Sequence, residues 1–128
     1  MKKVLMISIL ALFSSTTFAT VATPEKDVQI GISGVFVPAG FDSSSDAYVV
    51  VNGVFQNGCY SWKKAEITNT SELTHEVKSI ATVKQGMCIM VLIPFQKDIR
   101  LGKLAQGKHT LKFLNGDGTY LEKNLIVE

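Results

Sequence analysis

Apolar and polar positions alternate with a period of two through most of this chain. Val28, Ile30 and Ile32 alternate with Gln29, Gly31 and Ser33, the spacing of a half-buried strand. Val35 and Val37 extend that strand past Gly34, where a bulge is expected. The serine-rich stretch 38–46 reads as a loop. Six further strands are predicted at 47–55, 59–68, 75–83, 87–95, 109–114 and 119–127. Turn signals separate them, the clearest being Asn115, Gly116, Asp117 and Gly118 before the last strand. In the fourth strand Val77, Ser79, Ala81 and Val83 share one side. No segment carries a convincing helical period. Seven short strands at this spacing predict an all-β chain folded as a β-sandwich.

The start of the chain breaks the pattern. Lys2 and Lys3 precede a ten-residue stretch, 4–13, interrupted only by Ser8, and a small polar segment ends at Ala19. This is the layout of a secretory signal peptide, residues 1–19, cleaved after Ala19 or, second, after Ala22. Its apolar core falls short of the roughly 20 residues that a membrane span needs. An exported protein, periplasmic or secreted, is therefore expected, with no integral membrane span in the mature chain. No cysteine stands near either cleavage site, so no lipid anchor is expected there. Residues 20–27 read as a loose lead-in and 28–128 as the sandwich domain. Removing 19 of the 128 residues leaves 109, enough for one domain with a modest core. The chain has 13 basic and 11 acidic residues. Two of the basic ones leave with the signal, so the mature chain is balanced, and nothing suggests nucleic-acid binding.

Cys59 and Cys88 are the two cysteines. In a small exported domain such a pair predicts one disulfide. No second cysteine lies two to four residues from either, so a zinc-ribbon pattern is absent.

The stretch Leu101, Gly102, Leu104, Gly107, His109, Leu111, Phe113, then Asp117, Gly118, Thr119, Tyr120 and Val127 resembles the last third of immunoglobulin-like and fibronectin type III-like modules of secreted bacterial proteins. The resemblance implies a seven-stranded antiparallel immunoglobulin-like β-sandwich and carries no functional residue with it. The cysteines depart from the antibody pattern, since they open the third and fifth strands. His109 stands where tyrosine is commoner in these modules. A ring nitrogen bonding the backbone of the preceding connection would replace the tyrosine-corner bond. Trp62 is expected to be buried, with a bulge near Lys63 turning both Trp62 and Ile67 inward; the alternative is an exposed Tyr60–Trp62 pair able to bind a ligand.

Catalytic signals are lacking: there is no nucleophile elbow and no phosphate-binding glycine loop. The chain is read as a non-enzyme without a cofactor. Met87, Cys88 and Met90 with His75 and His109 form a copper-type ligand list, which keeps a periplasmic copper-binding protein as an alternative. The methionines read better as core filling, and a bridged Cys88 is lost as a thiolate. Asp42, Asp46 and Asp117 lack the spacing of a calcium loop.

Two surfaces are candidates for binding. In the immunoglobulin-like arrangement the second and fifth strands are neighbours. Neither alternates cleanly, so Tyr48, Val50, Met90 and Leu92 are expected to form one apolar sheet face. If each strand reverses direction, both cysteines and the 115–118 hairpin lie at one end of the sandwich. Asn115 and Asp117 then join a loop cluster beside the disulfide. The function expected is a non-catalytic binding or structural module, its partner a protein, a cell-envelope component or a second copy. An alternative is a secreted inhibitor of an extracellular enzyme.

Overall fold

The computed structural model describes residues 14–16 and 24–128. The signal peptide and both cleavage positions fall almost wholly outside the described residues. Eight strands are present among the described residues: β1 (Glu25–Ile30), β2 (Gly34–Phe36), β3 (Ala47–Phe55), β4 (Tyr60–Asn69), β5 (Thr74–Lys84), β6 (Ile93–Gly102), β7 (Gly107–Leu114) and β8 (Tyr120–Val127). They form two sheets, and the β-sandwich read from the alternation is present. β5 is the hub of the larger sheet, where it pairs with β4, β1 and β7, and β8 follows β7. The smaller sheet runs β2-β3-β6.

The core forms where the inward sets of both sheets meet. Val49 and Val51 of β3, Val77 of β5, Leu111 and Phe113 of β7, and Leu125 of β8 are wholly buried. Ile99 of β6 and Val127 of β8 complete the cluster. Along β5 the predicted side is buried at Val77, Ser79 and Ala81 and half-buried at Val83, with His75 on the same side; Ile80 on the other side is buried as well.

Three features depart from expectation. The predicted first strand is two strands. After Ile30 the chain leaves β5 and crosses to the other sheet, where Ser33 N donates to Asn52 O at 2.8 Å and β2 pairs with β3. β1 also begins at Glu25, inside the expected lead-in, because Glu25 to Asp27 still find partners on β5. Second, the larger sheet is mixed. β7 runs parallel to β5, from Thr74 opposite Thr110 to Lys78 opposite Leu114. The chain leaves β5, runs back along β6 in the other sheet, and returns. It has then reversed twice, so β7 lands beside β5 in the same direction, and the all-antiparallel expectation fails at this pair.

Third, the strand expected at 87–95 lies at Ile93–Gly102. β3 ends at Phe55, which pairs with Ile93. Residues 87–92 therefore have no strand to pair with among the described residues, however apolar they are. The alternation that identifies β6 is Ile93, Phe95, Ile99 and Leu101, interrupted by an exposed Lys97. A charge at an inward position and Pro94 both discourage further pairing on the free edge of β6.

Candidate functional site

The displaced segment is the most unusual surface of the molecule. β5 ends where Lys84 N donates to Cys59 O at 3.0 Å and Gln85 N to Pro24 O at 3.2 Å. Gly86, with φ of 138°, turns the chain in a way that a side chain would resist. Cys88 is bridged to Cys59, with Cα atoms 5.3 Å apart, within the span a disulfide needs. One residue further on, Ile89 O accepts from Gly58 N at 2.9 Å. Asn57 Oδ1 accepts from Cys59 N at 2.9 Å and steadies the same turn. The loop backbone is thus fastened to the β3–β4 turn by one covalent bond and one hydrogen bond.

Its side chains point away from the protein. Relative exposures are 106% for Met87, 70% for Ile89, 81% for Met90, 52% for Val91 and 71% for Leu92. Twelve uncharged residues separate Lys84 from Lys97. On the strands that the loop joins and faces, Phe55 stacks on Phe95 at 4.3 Å and on Tyr60 at 5.9 Å, and Trp62 leans on Phe95 at 5.8 Å. The loop has no titratable side chain and so no acid–base chemistry. What it can do is lose water.

A polar cluster lies far away in the fold, at the other end of β5. His75 Nε2 is 2.8 Å from His109 Nδ1, His109 Nε2 donates to Ala105 O at 2.5 Å, and His75 Nδ1 is 2.6 Å from Asn69 Oδ1. Both imidazoles are buried. Burial, and then the charge of a protonated His109, hold His75 below the ordinary histidine range. Proton counting constrains the chain. Two neutral rings carry two N–H groups, one used on Ala105 O and one between the rings. His75 Nδ1 is then an acceptor and needs the amide nitrogen of Asn69. The neutral pair that burial favours is completed with the Asn69 amide turned so that its nitrogen faces His75 Nδ1.

A model of the ORF11 beta-sandwich domain matches residues 49–124, more than half of the chain. The chain belongs to the ORF11 beta-sandwich domain family. No curated protein and no solved structure matches it. The segment matched to the ORF11 beta-sandwich domain runs from β3 into β8 and holds both cysteines, the apolar loop and both histidines.

Within this ORF11 beta-sandwich domain the predicted residues are dispersed. The Cys59–Cys88 disulfide forms as read and suits an oxidising compartment. The apolar sheet face does not form. Tyr48 pairs with Arg100 and Val50 with Asp98 across β3 and β6, so that face is mixed with charge. Met90 and Leu92 stand on the loop instead. The 115–118 hairpin does not join the disulfide either. Leu114 pairs with Lys78, whereas Tyr60, next to Cys59, pairs with Val83, five residues or roughly 17 Å along β5. Asn115 and Asp117 are spent on structure. Asn115 Oδ1 accepts from Ile32 N at 3.3 Å where β1 leaves the sheet, and Asp117 Oδ1 accepts from Thr119 N at 2.9 Å. The copper-type list is split too. His75 and His109 lie by the start of β5, and Met87, Cys88 and Met90 follow its end, nine residues or roughly 30 Å away.

His109 makes the expected backbone bond, to Ala105 O. Its partner His75 was not foreseen, because a parallel β5–β7 pair is needed to bring the two together. Trp62 is half-buried against the core, and the expected bulge falls between Trp62 and Lys64. Ile67 stays 37% exposed, while Ala65 packs on the core.

Proposed function

We propose that this chain is an exported, non-catalytic binding module that engages its partner through the loop at residues 87–92. One observation carries the reading: five exposed apolar side chains on a segment anchored by the Cys59–Cys88 bridge. Isolated exposed apolar residues are ordinary on protein surfaces, but a contiguous cluster marks a contact surface. Burying these side chains to the extent that they are exposed would contribute on the order of 6–11 kcal/mol gross. The cost of docking offsets about 4–15 kcal/mol of that. A modest affinity follows if the loop is the sole contact. The disulfide limits the loop's freedom before binding and so reduces the ordering cost. It also fits export, in line with the signal-peptide reading of residues 1–19. The protrusion of the same loop favours a second reading, an inhibitor that plugs the cleft of an extracellular enzyme.

A photo-crosslinking amino acid at position 90, in the protein expressed in its natural cell, tests the proposal. Adducts are expected at position 90 and not at position 44, on the exposed loop before β3. Equal yields at the two positions would refute a binding role for the loop.

A further inference from the structure

We infer that the surface taken by the 87–92 loop is an anionic lipid bilayer. The inference rests on the loop being the binding site and goes further by naming the partner. From Gly86 to Phe95 no side chain carries a hydrogen-bonding group beyond the sulfurs of Met87, Met90 and the bridged Cys88. A protein partner is held largely by aromatic or arginine anchors and a polar rim; residues 87–92 offer two methionines, which such interfaces also use, and none of the other groups. Hydrocarbon asks for none. The exposure agrees, since Met87 at 106% and Met90 at 81% lie open to solvent.

Charge is arranged to match. Pro24 meets Gln85 at the base of the loop, so Lys26 and Lys84 both stand there, with Glu25 opposite Lys84 in the ladder. Two lysines against one carboxylate at this base favour anionic headgroups, and lysine stems can follow the apolar tip while their ammonium groups stay in water. The backbone sets the depth. An irregular loop cannot carry unpaired N–H and C=O groups into the hydrocarbon centre. It can sit at the headgroup boundary, roughly 5–10 Å deep.

Vesicle flotation of the full mature chain tests this. Phosphatidylcholine vesicles are compared with vesicles one-third phosphatidylglycerol, at low and at high salt. Binding is expected to the anionic vesicles and to weaken with salt. Met90→Asp with Leu92→Asp should reduce partitioning at least about tenfold, with an unchanged melt because both residues are exposed. Lys26→Gln with Lys84→Gln should lower it roughly fivefold or more per lysine on anionic vesicles only. Phe36→Asp, at a 63% exposed apolar residue on β2, should change nothing. Flotation that ignores both the loop and the lysine variants overturns the inference. So does an absence of flotation. Protein adducts at position 90 would then leave the binding role standing, and an absence of adducts would remove that as well.

Discussion

Replacing His75 by leucine gives a pH signature that no surface change should imitate. In the folded chain His75 is buried and bonded to His109. The substitution leaves His109 Nδ1 without its donor in the interior. One buried unsatisfied acceptor costs about 1–3 kcal/mol, and that loss is expected at pH 7.5, where both histidines are neutral when unfolded. At lower pH the comparison changes. An unfolded histidine gains its proton near pH 6.5, while burial and His109 hold the folded His75 lower. Between the two values the unfolded state binds more protons, so stability falls as pH falls, by at most about 1.4 kcal/mol per unit for this group. The leucine variant has no such group. Its stability should fall less steeply, and its deficit relative to the unmutated chain should shrink from pH 7.5 to 5.5.

Urea melts at half-unit pH steps, analysed with a common slope against denaturant, measure this directly. The chain has two histidines, so little else titrates in that window. Asp27, Asp42 and Asp117 are held below the ordinary carboxylate range, chiefly by hydrogen bonds from Lys63, Ser44 and Thr119 respectively. Their contributions are present above the ordinary carboxylate value and are lost as pH falls through the lowered one, which is more acidic than the histidine window. Parallel stability profiles for the two proteins between pH 7.5 and 5.5 would refute the reasoning, as would a leucine variant at least as stable at pH 7.5.

Cys59→Ala with Cys88→Ala opens a link of sequence separation 29 and should cost roughly 3–4 kcal/mol by the loop-entropy relation. Equal denaturation midpoints for the two oxidised proteins would argue against it. The same double variant should weaken vesicle binding, because the apolar tip is no longer pinned, and flotation reports this. Gly53→Ala should destabilise the domain by about 1–3 kcal/mol, since a Cβ there would lie 2.6 Å from the Phe95 ring. Thermal melts should show the loss, and a Phe95→Leu background should relieve most of it.

How far the sequence could be read depended on the range of the interactions involved. Period-two alternation is local, and it placed β3, β4, β5, β7 and β8 to within about a residue at most ends. The bulge at Lys63 was legible for the same reason, since turning Trp62 and Ile67 both inward required a parity shift; the shift is present, although Ala65 rather than Ile67 joins Trp62 on the core. The mixed sheet was not legible. Whether β7 lies parallel to β5 depends on β6 crossing to the other sheet, and no residue of β7 encodes that.

The apolar loop shows where the reading of hydrophobicity itself breaks down. A continuous run such as Ile89, Met90, Val91, Leu92 and Ile93 has the composition of a buried strand, and the default inference is burial. Burial needs a partner surface, however, and β3 ends at Phe55, opposite Ile93. The bridge to Cys59 and the bond from Gly58 N to Ile89 O then hold the run outside. Composition suited to an interior, held outside by a covalent bond, destabilises nothing in the isolated fold but leaves an unmet driving force. That driving force is why the argument for binding rests on this loop and not on the sheet face, where Asp98 and Arg100 already interrupt the apolar surface.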